Sequence, residues 1–220
     1  MFKIQTLIPS FIRPIFSRDA KALKSYFHLA IASLIVGIVI SILDHDAILT
    51  IIGLYSETSE FISYPVLQAV PVHGETFISK LLHLLKTNIL IESIFLITLP
   101  GIFLLSRIPI ILKFLTIGIL LPPIALEFVG LTPFIVLVIL LEIVASSMAG
   151  LSGDHLGLAL LIPKRLYGNV SRITAFKQAL VELVKYYTVV TTILLLSSLI
   201  ECTIAYALSI LFYCINGIIC

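Results

Sequence analysis

Charge is what this sequence has least of. Asp, Glu, Lys and Arg together make up 12% of its 220 residues, about half the ~25% usual in a soluble domain, which is too little to cover a water-facing surface. The three cysteines, Cys202, Cys214 and Cys220, sit near the C-terminus. They lack CxxC spacing, which removes the common zinc and redox motifs. No glycine-rich phosphate loop and no HExxH stretch occurs, so neither nucleotide hydrolysis nor zincin chemistry is indicated. Basic residues near the N-terminus are interrupted by Pro9, Pro14 and Asp19, and no small-residue cleavage site follows the first apolar run; the expectation is that no signal peptide is removed.

What is present is hydrocarbon. Hydrophobic residues reach 60%, mean hydropathy is +1.18, and several apolar runs approach the roughly 20 residues that cross a bilayer core. Lipid is therefore the solvent, and the spans are expected to be helices that satisfy their own backbone hydrogen bonds. The sequence predicts an all-α fold, a polytopic transmembrane helix bundle of about five spans with a small extracytoplasmic helical cap. Residues 1–24 mix Phe2, Ile4, Leu7, Ile8, Phe11, Ile12, Ile15 and Phe16 with five basic side chains, and read as a cytoplasmic amphipathic segment lying on the membrane surface. Residues 25–220 form the transmembrane domain. Its expected spans are Tyr26–Leu43, Asn88–Leu105, Phe114–Val129, Pro133–Ile162 and Tyr186–Ala207. The outer segment 44–82 is too apolar for a free loop and is expected to cap the bundle, and a basic loop occupies 163–185. Pro122-Pro123 should kink or break the third span, and the fourth, at about 30 residues, should tilt or break around Gly150–Gly153. The tail after the fifth span packs at the far interface or forms a sixth span.

Of the 14 basic residues, five precede the first span, Arg107 and Lys113 flank the second turn, and Lys164, Arg165, Arg172, Lys177 and Lys185 fall before the last span. Only Lys80 and Lys86 lie on the other face. Because cytoplasmic loops carry the Lys/Arg excess, a multi-pass plasma-membrane protein with its N-terminus inside and its C-terminus outside is expected. The bilayer is the first partner. Other membrane proteins or a second copy of the chain come next, and nothing calls for nucleic acid or a cofactor.

Two sets of residues stand out. Glu92, Glu142 and Glu201 fall within spans, and Asn88 lies one helical turn before Glu92. A carboxylate at bilayer depth costs about 3 kcal/mol on insertion scales, so these groups should face the protein interior, protonated or paired. They are either a proton or substrate path or, more plainly, interhelical glue. In the fourth span Ala145, Ala149, Gly153 and Gly157 recur every four residues with Gly150 beside them, a ridge that lets another helix approach closely. That helix could belong to this chain or to a second copy.

Enzyme readings fare worse. Gly150-Leu-Ser-Gly153 matches the nucleophile motif of intramembrane serine proteases, but none of the five histidines follows residue 155 and the Trp of the rhomboid Trp-Arg feature is missing. Asp154 lacks the Gly-x-Gly-Asp context of intramembrane aspartyl proteases and a second aspartate in another span. Asp44-His45-Asp46, His73, Glu75 and His83 offer carboxylates and imidazoles suited to zinc, but such scattered ligands usually meet water. Asp154 and His155 are expected to reach headgroups or cap a helix break.

The stretch from Asn88 to Glu201 resembles the stage II sporulation protein M family. The resemblance rests on Asn88 in "LKTNIL", on Glu142 followed by Ala149-Gly150, Gly153, Gly157 and "PKR" at 163–165, and on "LIE" at 199–201. It departs where Val138 and Ile139 replace a His-Gly pair, and where Cys202 replaces a glycine. The resemblance implies a non-enzymatic integral membrane scaffold or assembly protein; in spore-forming bacteria the family scaffolds a complex that recruits wall-degrading enzymes. The alternative is a small membrane transporter or permease that uses the intramembrane glutamates.

Overall fold

A computed structural model describes the backbone of residues 13–44, 76–127 and 129–215. Every regular element among these residues is a helix: α1 (Arg13–Leu43), α2 (Phe77–Gly101), α3 (Arg107–Glu127), a 3₁₀ turn (Val129–Leu131), α4 (Thr132–Leu161), α5 (Pro163–Tyr167) and α6 (Arg172–Ile215). Four of these helices contain stretches long and apolar enough to cross a membrane: Asp19–Leu43, Phe77–Gly101, Val129–Leu161 and Arg172–Ala207. The chain is accordingly a helical membrane protein.

α1 continues unbroken across residue 24, because Pro14 lies in its first turn, where a missing amide is harmless. Residues 1–12, most of the outer segment (45–75) and the tail 216–220 lie outside the described residues, as do the interfacial and capping readings that depend on them; α6 runs unbroken to Ile215, so residues 204–215 continue the helix of the last span and do not turn back as a sixth.

α2 starts on Thr76, whose side chain accepts a hydrogen bond from the Ser79 amide at 3.2 Å, and from Thr87 to Thr98 it winds as a π-helix. That i→i+5 ladder is rare and tends to mark functional positions. It also shifts the face each side chain presents. Asn88 turns to α6, donating to Ser198 Oγ at 3.2 Å, while Glu92 turns to Lys113 on α3.

α2 ends in a Schellman turn. The Leu105 amide bonds the Pro100 carbonyl at 3.0 Å and the Leu104 amide bonds Gly101 at 2.8 Å, which closes the orphan carbonyls at the helix end. Leu104 occupies the left-handed position, with φ 61°.

Two expectations need correction. α3 begins at Arg107 rather than Phe114, so Lys113 lies two turns inside a helix and does not flank a turn; Pro109 sits in the first turn and starts the helix rather than ending it. Pro122-Pro123 do not break α3, which runs through both to Glu127. They cost the helix their own two bonds, to the Gly118 and Ile119 carbonyls, and α1 packed along α3 holds it through the gap. Of the two alternatives for the fourth span, the break does not occur: α4 continues as one helix through Gly150–Gly153 to Leu161, because neighbours on several sides hold it.

α4 is the central helix. Its apolar window is 67% buried, against 28% for α1. It packs along α6, against the α2 end, and against α1, while α1 and α3 pair closely with each other. The main core joins Tyr26, Ala30, Ile97, Ile110, Phe114, Ile143, Met148, Tyr186 and Val190. The α1 start, α2 end, α3 start, α4 end and first half of α6 gather at one end of the bundle, which carries Lys21, Lys24, Arg107, Lys164, Arg165, Arg172 and Lys177.

Candidate functional site

The small-residue ridge of α4 is spent inside this chain. A Cβ on Gly153 would stand 2.5 Å from the Thr98 carbonyl oxygen and 3.1 Å from the Gly101 Cα, and one on Gly157 would stand 2.5 Å from the Ile102 carbonyl oxygen. The backbones of α2 and α4 therefore touch there. Gly150 opens the other way, towards Ile110 and the Tyr26 ring, at 2.8 and 3.2 Å from its virtual Cβ. Ala145 and Ala149 are fully buried, and the Ala149 carbonyl accepts a hydrogen bond from Thr98 Oγ1 at 3.1 Å. Thr98 also meets the Tyr187 hydroxyl at 2.6 Å, which links α2, α4 and α6.

A second close crossing was not anticipated. Gly37 of α1 and Gly118 of α3 lie backbone on backbone, and a Cβ on either would fall 2.2 Å from a carbonyl oxygen of the other helix (Leu115 or Leu34). The signal was present: Ser33, Gly37 and Ser41 recur every four residues, the same small-residue period as in α4, and both serines are buried.

Between these crossings lies the polar centre. Lys113, the residue the sequence reading placed in a turn, projects from α3 into the bundle. Its ammonium is ion-paired with Glu92 of α2 and stands 3.2 Å from Glu142 Oε2 of α4. Glu142 is 1% exposed and Glu201 4%. Glu201 is within electrostatic reach of Glu142, Glu92, Lys113 and Lys80, and neither of its oxygens has a hydrogen-bond partner among the described residues. Lys80 is also buried, and Cys202 directs its thiol at the Phe77 carbonyl at 3.6 Å. Three glutamates, two lysines and Asn88 from four helices thus form a polar region inside the bundle, in which Glu92 and Lys113 are part-buried.

At the basic end a separate network forms. Tyr26 donates to Asp154 and meets Ser106 at 2.6 Å, and Ser106 donates to Asp154 at 2.7 Å. Arg107 lies 5.5 Å over the Tyr26 ring, in cation–π range. His155 lies between two carboxylates, with Asp19 Oδ1 3.7 Å from Nε2 and Glu182 Oε2 3.6 Å from Nδ1. Tyr186 donates to Asp19 and Tyr167 to Glu182, both at 2.8 Å. Asp154 and His155 therefore cap no break, and both side chains are tied into the bundle. Because α4 continues as a helix, it carries them into the notch between α1, α6 and the α2–α3 turn.

Ser152 donates its hydroxyl to the Ala149 carbonyl at 2.8 Å, while His155 directs both ring nitrogens at carboxylates. Among the described residues no group of three or more His, Cys, Asp or Glu side chains could hold a metal ion. Of the outer-face candidates for zinc, His45, Asp46, His73 and Glu75 lie outside the described residues. No protein-family model, curated protein or solved structure matches the chain.

Proposed function

We propose that the protein is a non-enzymatic integral membrane scaffold or assembly protein of five spans in the plasma membrane, resembling the stage II sporulation protein M family. α3, with 21 residues, supplies the fifth span. The basic end of the bundle faces the cytoplasm by the Lys/Arg rule, the N-terminus is inside and the C-terminus outside. Eleven of the 14 basic residues fall on the cytoplasmic side in this arrangement, because Lys113 points into the bundle and pairs with Glu92 and Glu142.

The observation that carries this reading is the pair of glycine crossings. Backbones in contact at Gly37–Gly118 and at Gly101–Gly153–Gly157 hold the helices at fixed distance and suit a rigid platform better than rocking halves. The α4 ridge is consumed within the chain, so partners, a second copy included, would dock on lipid-facing surfaces such as Ile35, Val36 and Val39 of α1, each about half exposed. Photo-crosslinkers at these positions in native membranes, read by mass spectrometry, test the idea. A scaffold gives one stoichiometric partner whose capture is lost when the same positions become bulky or polar. Crosslinks to lipid alone at every lipid-facing position would remove the reading.

A transporter is the second reading, favoured by the Glu92–Lys113–Glu142 ion cluster at bilayer depth, since intramembrane ionisable groups mark ion paths by default. It requires water to reach the cluster. A cysteine at Ser146, one turn from Glu142, would react with a membrane-impermeant thiol reagent in a transporter and stay unreactive in a closed scaffold.

A further inference from the structure

Among the described residues the carboxyl groups of the polar centre outnumber its amines, and one carboxyl stands apart. Three carboxyl groups (Glu92, Glu142 and Glu201) share their electrostatic surroundings with two amines, Lys113 and Lys80. Lys113 is in contact with Glu92 and Glu142. Glu201, although 4% exposed, receives no hydrogen bond on either oxygen among the described residues. Its neighbour Cys202 offers no donor to it, since the thiol points at the Phe77 carbonyl. An ionised carboxylate without donors in an apolar medium is costly enough that it takes up a proton instead.

We propose that Glu201 carries a bound proton inside the membrane, so that the wall between α6, α2 and α4 is a proton-binding site beside the Lys113 ion cluster. The ligand is the proton itself. Binding forms one O–H bond on a Glu201 carboxylate oxygen and neutralises its charge; release breaks that bond and leaves an ionised carboxylate within electrostatic reach of Glu142 and Glu92. The proposal stands whether the protein is a scaffold or a transporter, since occupancy requires no transport.

Infrared difference spectroscopy of the full chain in lipid bilayers at neutral pH is the deciding measurement. A protonated carboxylic acid shows a carbonyl stretch, shifted in D2O, that a carboxylate lacks. Subtracting Glu201→Gln from the wild type is expected to leave that acid band, and subtracting Glu92→Gln is expected not to. Glu201→Asp keeps the acid and should move the band rather than remove it, which keeps the test decisive if Glu201→Gln fails to fold. Dicyclohexylcarbodiimide, which modifies protonated carboxyls in apolar surroundings, should label Glu201 as the main site, with labelling falling several-fold from neutral to alkaline pH. The proposal is overturned if Glu201→Gln removes only carboxylate intensity, if the acid band appears only in acidic buffer, or if the label maps to Glu92 or Glu142 instead. Loss of the band when sodium replaces choline would also overturn it, in favour of a cation site.

Discussion

Replacing Lys113 with methionine removes the ammonium that faces both Glu92 and Glu142 while keeping the length of its stem. At 3.2 Å from Glu142 and an effective dielectric of about 20, the Coulomb attraction is about 5 kcal/mol before desolvation is subtracted. Burial of Lys113 offsets much of that in the intact protein. Removing one partner leaves the other charges buried without compensation, and such deletions cost about 3–5 kcal/mol. Two carboxylates would then face each other with Glu142 1% exposed, so the loss belongs at the upper part of that range until one acid takes up a proton. Reversible unfolding in mixed micelles, or the thermal midpoint in detergent, measures it. The control is the triple substitution Lys113→Met with Glu92→Gln and Glu142→Gln, which removes every charge and should restore most of the lost stability. A double-mutant cycle between positions 113 and 142 should give a coupling at the upper end of the ~0.5–3 kcal/mol seen for residues in contact. A Lys113→Met loss below about 1 kcal/mol, or additive single substitutions, would show that the cluster is solvated in the membrane and would refute the reasoning.

Gly118→Ala should destabilise by about 1–3 kcal/mol, the usual range for overpacking, since the added Cβ meets the Leu34 carbonyl oxygen at 2.2 Å; Gly130→Ala, with nothing within 4 Å, should not, and equal thermal midpoints for the two variants would contradict the crossing. Leu104→Gly should raise stability by about 1 kcal/mol, because the left-handed conformation costs a non-glycine residue about 1–2 kcal/mol and Leu104 is 37% exposed; an unchanged or lower midpoint would argue against the Schellman turn. Tyr26→Phe should cost about 1–3 kcal/mol by removing a donor to the part-buried Asp154, and Ser106→Ala in that background should cost little more if the three groups act as one network.

What the sequence made legible and what it hid divide along physical lines. Apolar runs give spans, because lipid admits little else, and the helices with transmembrane character follow them. The every-fourth spacing in α4 predicted close approach, and the same spacing in α1 at Ser33, Gly37 and Ser41 would have predicted the second crossing had it been read. Lys113 was misassigned because a lone lysine near a proline reads as a span boundary. Only the positions of Glu92 and Glu142 on other helices turn it into an interior group, and pairings between helices leave no trace in local sequence. Asn88 and Glu92 were placed on one face by α-helical spacing, and the π-helical turn separates them. Asp154 and His155 read as headgroup or capping residues for the same reason: local polarity carries no sign of distant neighbours, which for His155 are Asp19 and Tyr186, 136 and 31 positions away along the chain.

The two polar layers have a consequence for how this fold is specified. Glu142 and Asp154 are twelve residues apart on α4, about 18 Å along a helix, so the Lys113 cluster and the Tyr26–Ser106–Asp154 network fix the bundle at two heights. Apolar side chains cannot do this in a membrane, because a leucine against a lipid tail is nearly as well placed as a leucine against another helix. The glycine crossings set distance but tolerate sliding by one small residue, since a ridge spaced every four residues fits its neighbour in more than one register. A shift of α4 by one turn would carry Glu142 away from Lys113 and Asp154 away from Tyr26 together, and both losses fall in a medium that cannot re-solvate them. Close contact therefore comes from the small residues and register from the polar groups, which gives the glutamates a part in register, separate from net stability, even where they transport nothing.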